Sequence, residues 1–285
     1  MDSSITDMEV KKIRYAGKII FYIALGAVGI FALGPFLWLF STSLKSAGNV
    51  FRLEGILDLI PRPLTLDNYI QVWKQIPMMT RFFFNSFIIC FFGVFFQVLI
   101  SALAGYPLAR MEFPGKKLIM IILVSTLLLP VEANLVVNFI TIRFLQLYNT
   151  YAGVLLPGLV SVFGIFLMRQ AFLVIPGELD DAARIDGASE WSIWRHVHIP
   201  LCAPTIAVLT IFSFVAFWNT FMWPLIILKN ESMYPLTVGL SYMANMFSSD
   251  FRLVAAGCIL AMIPVIILFI FNQRYFVQGI QGLGK

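Results

Sequence analysis

Between residues 169 and 202 the chain gathers the side chains best suited to polar chemistry. Glu178, Asp180, Asp181, Asp186 and Glu190 make up a third of its acids, and His196 and His198 are its only two histidines. Two positions apart on a helix, the histidines point to nearly opposite sides and cannot chelate one ion together. No cysteine or acid at ligand spacing completes a metal site. No nucleophile-and-base pair is visible either, because both histidines sit in this one segment. Gly279, four residues, then Gly284-Lys285 match most of a phosphate-binding loop. The sequence ends before the Ser or Thr that such a loop needs, no strand pattern precedes it, and no helix follows to aim amides at phosphate. The expectation is a non-catalytic chain that holds no ATP, metal or other cofactor of its own.

The elements that must position these residues are membrane spans. The chain has 285 residues, is 60% hydrophobic and 12% charged, and has a mean hydropathy of +0.88, far from the averages of soluble domains. About 20 apolar residues cross a hydrocarbon core, and six stretches qualify, near 19–40, 82–104, 118–140, 151–168, 203–228 and 253–272. They read as one transmembrane domain over 1–285, with no internal repeat. The first stretch follows Lys11, Lys12, Arg14 and Lys18 as a secretory signal would. Its length, and the absence of a small-x-small cleavage site after it, mark a retained helix instead.

Six spans place both termini on one side. With that side inside, the inner segments hold twelve of the 20 Lys and Arg, including Arg110, Lys116 and Lys117 in the short 105–117 loop. Cytoplasmic termini are therefore expected. The net charge of +5 follows from this orientation and from contact with anionic lipid, so it implies no nucleic-acid partner. Cys90, Cys202 and Cys258 are odd in number and lie in or beside apolar stretches, where they serve as small packing residues.

Two connections are long enough to do more than connect. The outer one, 45–81, carries Ile60-Pro61-Arg62-Pro63, Tyr69 and Trp73 and can fold over the mouth of the bundle. The inner one, 169–202, reads as two short helices about a corner. Pro176 precedes Glu178, Asp180 and Asp181, acids suited to the positive end of a helix dipole. Gly187 offers the left-handed conformation that ends a helix. Ser189 caps the next helix, whose run to His198 is expected to stop before Pro200. Leu179, Ala182, Ala183, Ile185, Ile193, Trp194 and Val197 are too apolar for a solvated linker, so a partner should pack on them. An amphipathic helix lying on the inner leaflet is the alternative, and five acids beside an anionic surface disfavour it.

Asp181-Ala182-Ala183, three residues, Gly187, nine residues, then Val197-His198-Ile199-Pro200 resembles the signature of permease subunits of binding-protein-dependent ABC importers. In that family Glu-Ala-Ala and Gly precede Ile-x-Leu-Pro at the same spacing. The run from Ile175 to Ala188 is similar to the carbohydrate-uptake class, typified by the maltose permeases. Asn85-Ser86, Asn149-Thr150-Tyr151-Ala152-Gly153, Trp218-Asn219, Trp223-Pro224 and Gln273-Arg274-Tyr275-Phe276-Val277 extend the likeness. The resemblance implies an all-α type I importer permease fold of six transmembrane helices, with 169–202 as the cytoplasmic coupling loop. Glu178, Asp181, Ala182, Ala183, Asp186, Gly187 and Pro200 would then carry ATPase coupling. It also implies a second homologous permease, two cytosolic ATPase subunits that bind ATP and Mg, an extracytoplasmic solute-binding protein, and a sugar-like cargo.

Polar groups inside the spans are the candidates for a transport path, since a charge near the bilayer centre costs about 2.5–3.5 kcal/mol. Glu132 follows Pro130, with Asn134 and Asn138 at roughly helical spacing. Either this face lines a cavity, or Pro130 breaks the helix and Glu132 sits among headgroups. Asn219 beside Trp218 pairs hydrogen bonding with an aromatic face, as sugar recognition requires, and interhelical packing explains it equally well. An ion-driven carrier would show paired broken helices in inverted repeats and buried acids. A membrane-embedded enzyme would show a titratable cluster within the membrane. Neither pattern is present in the sequence.

Overall fold

A chain crossing hydrocarbon must satisfy its backbone internally, which helices do. The computed structural model describes the backbone of residues 3–46, 60–246 and 250–282, with side chains for 15, 17–46, 60–130, 133–244, 246 and 250–273. Among these residues the elements are α1 (Ser3–Ser43), α2 (Asp67–Gln75), α3 (Met79–Arg110), α4 (Lys116–Thr126), α5 (Leu135–Phe144), α6 (Tyr151–Leu155) and α7 (Val162–Val174). They continue as α8 (Glu178–Ile185), α9 (Glu190–Ile193), α10 (Ile199–Leu201), α11 (Ala203–Trp218), α12 (Met222–Ile227), α13 (Leu236–Met246) and α14 (Phe251–Gly282). Of the phosphate-loop match, Gly279 lies inside α14, and Gly284 and Lys285 are outside the described residues.

Among the described residues three stretches are long and apolar enough to cross a membrane unaided: Gly17–Ser43, Met79–Arg110 and Phe251–Gln273. Two bent pairs raise the number to as many as five. Tyr151–Gly158 meets Val162–Val174 at 50°, and Glu190–Leu201 meets Ala203–Trp218 at 78°. The expected 118–140 span is divided between α4 and α5, so six spans are consistent with the fold without being reached by helix length alone.

Proline places the breaks, since each ring excludes a regular turn against the carbonyl four residues earlier and donates nothing to it. Pro130 is preceded by the end of α4 at Thr126, and a 3-10 turn, Val131–Asn134, follows. Pro157 frees the Gly153 carbonyl, which accepts instead from Trp223 Nε1 at 3.1 Å. Pro224 frees the Thr220 carbonyl, which accepts from Thr237 Oγ1 at 2.6 Å. Gln97 Nε2 likewise donates to the Gly158 carbonyl at 2.8 Å. Side chains thus take over where the helical ladder fails, as a membrane interior demands.

The chain divides into two compact units. The first comprises residues 1–75 and 247–260. Within it, Asn68 Nδ2 donates to the carbonyls of Ser43 and Lys45, each at 2.8 Å, and Ser43 Oγ meets Tyr69 Oη at 2.7 Å. Part of the expected outer loop is therefore pinned to the end of α1. No residue in the most apolar window of α1 is buried.

The second unit, residues 76–246 and 261–285, is built around α3, which packs along α7 and α11. Close approach rests on small residues. A Cβ at Gly105 would stand 3.0 Å from the Arg169 backbone nitrogen and 3.1 Å from Met168 Cβ. This is the small-residue packing by which membrane helices gain dispersion contacts without a hydrophobic driving force between them. The core of Ala102, Tyr106, Met168, Phe172, Trp194 and Leu209 joins α3, α7 and α11 to the 169–202 connection.

Candidate functional site

The 169–202 connection folds as helix, glycine corner, helix. Glu178, Asp180 and Asp181 occupy the first turn of α8. At its end Gly187 N donates to the Arg184 carbonyl at 3.0 Å and Ala188 N to the Ala183 carbonyl at 2.9 Å. This is a Schellman pair, and it requires the positive φ that Gly187 supplies at +81°. A Cβ there would meet nothing within 4 Å, so backbone conformation, rather than a close neighbour within this chain, demands the glycine. Ser189 Oγ accepts from Ser192 N at 3.3 Å and caps α9.

The second helix does not stop before Pro200. A π turn over Trp194–His198 widens the ladder, with Ile199 N donating to the Trp194 carbonyl, and helix continues to Leu201. The wider turn shifts the backbone bonding just ahead of Pro200, whose ring a regular turn cannot accept.

A buried polar cluster ties this connection to α3. His198 is fully buried, and its Nε2 stands 2.7 Å from Asp180 Oδ1. Asp180 is 3% exposed, and its Oδ2 lies 3.5 Å from Arg110 Nε at the end of α3. Arg110 also donates to the Ile175 carbonyl. One turn earlier on α3, Tyr106 Oη donates to Glu190 Oε2 at 2.8 Å. The Tyr106 ring meets those of His198 and Phe172 edge-on, with centroids 5.0 and 5.8 Å away. Trp194, also buried, donates Nε1 to the Ala102 carbonyl at 3.4 Å. Both short helices are thereby strapped to the C-terminal end of α3.

Burial holds the His198 imidazole below its ordinary pKa of 6.5, against the opposing pull of Asp180 and Glu190 and with a smaller push in the same direction from Arg110. Among the described residues its Nδ1 has no hydrogen-bond partner, which suits a neutral ring whose Nε2 donates to Asp180. Because the folded pKa is depressed, His198 contributes stability that is complete above about 6.5 and is lost as pH falls through the folded value. Proteolytic exposure of the connection should therefore rise on acidification below about 6.5, and less steeply in His198→Gln. An equal rise in both proteins would remove His198 as the cause.

The outward side of α8 is different in character. Glu178, Leu179, Asp181, Ala182, Ile185, Asp186 and Gly187 are exposed, Ile185 by 86%, and Ala183 is half-buried. Arg184 bridges Asp181 at 3.2 Å and Glu190 at 3.0 Å on this surface. The expected docking residues thus share one acidic, partly apolar face; Pro200 is exposed but lies on α10. Ile193 and Trp194, grouped with them by hydrophobicity, are buried in the bundle. Sequence reasoning missed Arg110, Asp180, His198 and Tyr106 as one cluster. Its only signal was an acid one residue out of phase with the exposed face of α8.

The expected path residues are not gathered at this site. Trp218 is buried, stacked on Phe214 at 5.5 Å, and donates Nε1 to the Ala261 carbonyl at 3.0 Å; Asn219 is exposed at the end of α11. Neither lines the apolar cavity of about 550 Å³ between α3 and α11, which is bordered by Phe87, Phe91, Phe95 and Phe214. Glu132 belongs to the 3-10 turn after Pro130, and its side chain lies outside the described residues.

Asn85, Ser86, Asn149 and Tyr151, which also carry the family resemblance, form hydrogen bonds around one further segment. Asn85 Nδ2 donates to the carbonyls of Ser232 and Tyr234, each at 2.9 Å, and its Oδ1 accepts from Tyr151 Oη at 2.7 Å. Ser86 Oγ accepts from Leu236 N at 2.8 Å. Asn149, at φ +60°, accepts from the amides of Lys229 and Asn230 through Oδ1. These bonds hold the irregular 227–236 segment against α3 and α6.

Residues 97–282 match the family described as binding-protein-dependent transport system inner membrane component. The chain is 34% identical over 258 residues to the arabinooligosaccharides transport system permease protein AraQ of Halalkalibacterium halodurans, covering 90% of this chain and 92% of that one. It is 30% identical over 272 residues to the lactose transport system permease protein LacG of Rhizobium radiobacter, covering 95% and 98%. A solved bacterial ABC transporter involved in the import of the acidic polysaccharide alginate contains a chain that superposes with a TM-score of 0.80. That chain is 26% identical, and the match covers 91% of this chain and 96% of that one.

Proposed function

As a member of the binding-protein-dependent transport system inner membrane component family, the chain is a multi-pass permease subunit of an ABC importer and not itself a catalyst, and we propose that it carries a sugar or related glycoside or polyol compound. Support for the cargo class comes from the relatives, named for arabinooligosaccharides, lactose and, at 35% identity over 202 residues in Agrobacterium fabrum, sn-glycerol-3-phosphate. In this reading a second permease completes the path, two cytosolic subunits bind and hydrolyse ATP with Mg, and an extracytoplasmic binding protein delivers solute. Closure of the ATPase dimer draws the docking connections together and turns the cavity outward.

The observation that carries the reading is the division of the 169–202 connection into a buried half strapped to α3 and an exposed half bearing Glu178, Asp181, Ala182, Asp186 and Gly187. A lipid-lying helix would have no reason to expose acids around an apolar centre, whereas a groove with basic rims would receive them. The reading places this connection and both termini in the cytoplasm.

Ser189 is exposed beside the corner and reports the topology. A Ser189→Cys variant should resist a membrane-impermeant thiol reagent in intact cells and react fully after permeabilisation. Efficient labelling from outside would overturn the orientation and the docking assignment together. Cargo is tested separately, by uptake of radiolabelled di- and oligosaccharides into cells expressing the whole transporter. Transport of amino acids or metal ions with no saccharide uptake would defeat the cargo class alone.

A further inference from the structure

At the corner between α3 and α4 a cavity of about 840 Å³ opens to the surface, lined by Glu112, Lys116, Lys117, Leu118, Ile121 and Arg169 among others. Its charges do not cancel. Glu112 engages Lys116, whose Nζ stands 3.1 Å from Oε1 and 2.8 Å from the Met111 carbonyl. Arg169 donates Nε to the Leu108 carbonyl at 3.0 Å, which fixes its guanidinium at the rim. Lys117 is exposed. One acid therefore faces three cations.

The backbone adds to this field. Gly115, at φ +86°, starts α4 with no side-chain cap, and the first helical bond is Ile119 N to the Gly115 carbonyl. The amides of Lys117 and Leu118 precede that bond and lie at the positive end of the helix dipole, on two residues that line the cavity. Leu118 and Ile121, 61% and 64% exposed, lie one turn apart on the flank of α4 next to Lys117. A free anion would use the cations and leave the apolar flank bare, whereas a molecule with a phosphate head and acyl chains would cover both.

We propose that the cavity at the α3–α4 corner is a binding site for an anionic phospholipid. The phosphate sits among Lys117, Arg169 and the free amides of α4, and the chains run along Leu118 and Ile121. Assignment to the cytoplasmic leaflet rests on the topology proposed above; the lipid class does not. Bound there, the headgroup neutralises cations that would otherwise repel one another beside the coupling connection.

The test uses the assembled importer, purified into nanodiscs of phosphatidylcholine with and without phosphatidylglycerol. Lipid retained on release is read by native mass spectrometry. Phosphatidylglycerol should be retained over phosphatidylcholine, and Lys117→Glu should weaken that preference at least about fivefold, the effect of one juxtamembrane charge. Lys117 is exposed, so the variant should assemble normally. Equal retention of the two lipids, or an unchanged preference in Lys117→Glu, would overturn the site. Saturation by inorganic phosphate in lipid-free detergent would make it a free-anion site. Shielding of Lys117 from an amine reagent by the ATPase subunits rather than by lipid would make it a protein interface. The Ser189→Cys experiment fails independently if only the topology is wrong.

Discussion

Asp180→Ala should abolish uptake while Asp181→Ala, one residue on, largely preserves the fold of the 169–202 connection. Asp180 is 3% exposed and faces Arg110 and His198, so its removal leaves the Arg110 guanidinium, only 13% exposed, without its counter-charge. Breaking a buried pair in this way costs about 3–5 kcal/mol. Asp181 is exposed and pairs with Arg184, itself exposed, so solvent screens the interaction and its loss leaves the fold little changed. The expected results for Asp180→Ala are a protein present in the membrane, a 169–202 connection opened to protease, and uptake reduced at least tenfold. Limited proteolysis of membrane vesicles and transport assays on both variants would measure this. Equal behaviour of the two variants would show that burial of Asp180 contributes nothing.

Gly187→Val should be the second large effect, and for a different reason. Its surroundings are open, so the cost comes from forcing a β-branched residue to φ +81°, where L-residues lose about 1–2 kcal/mol. The corner would relax by re-aiming α8, moving its exposed face while the spans stay inserted. Uptake should fall at least tenfold at near-normal membrane abundance. Gly187→Asn separates conformation from contact, because Asn tolerates the left-handed region. Uptake retained in Asn and lost in Val assigns the requirement to φ. Loss in both, with the ATPase subunit no longer co-purifying, assigns it to close approach by the partner. Normal uptake in Val would leave the corner with no role in transmission.

The connection was readable because its punctuation is local. Pro176, Gly187 and Ser189 act through their own backbone or the next turn, and their roles are found where their residue types place them. What escaped depends on which way a helix faces. Asp180 and Asp181 are chemically alike, and only the packing of α8 on the end of α3 sends one inward to His198, 18 residues later, and the other outward. The run through Pro200 was illegible for a related reason. Proline normally ends a helix, and the π turn that accommodates it forms only where Trp194 and His198 are drawn into the bundle. Span boundaries were approximate because apolar length says nothing of bends, although Pro130, Pro157 and Pro224 mark where the interruptions fall. Asn85, Tyr151 and Asn149 carried resemblance alone in the sequence; folded, they are the hydrogen bonds that hold the 227–236 segment.

The 78° angle at Cys202 makes the arm Glu190–Leu201 and the span Ala203–Trp218 the two limbs of a bell crank. Cys202 is 3% exposed, and bonds on either side of it, Cys202 N to the His198 carbonyl and Ile206 N to the Cys202 carbonyl, each 2.9 Å, stiffen the fulcrum. At about 1.5 Å per residue the limbs are roughly 18 and 24 Å long, so a turn of about 10° displaces their tips by roughly 3 and 4 Å in nearly perpendicular directions. A push across the short limb thus becomes a swing of the far end of α11, where Trp218 and Asn219 sit, nearly at right angles to the push. Stroke is slightly amplified and force slightly reduced.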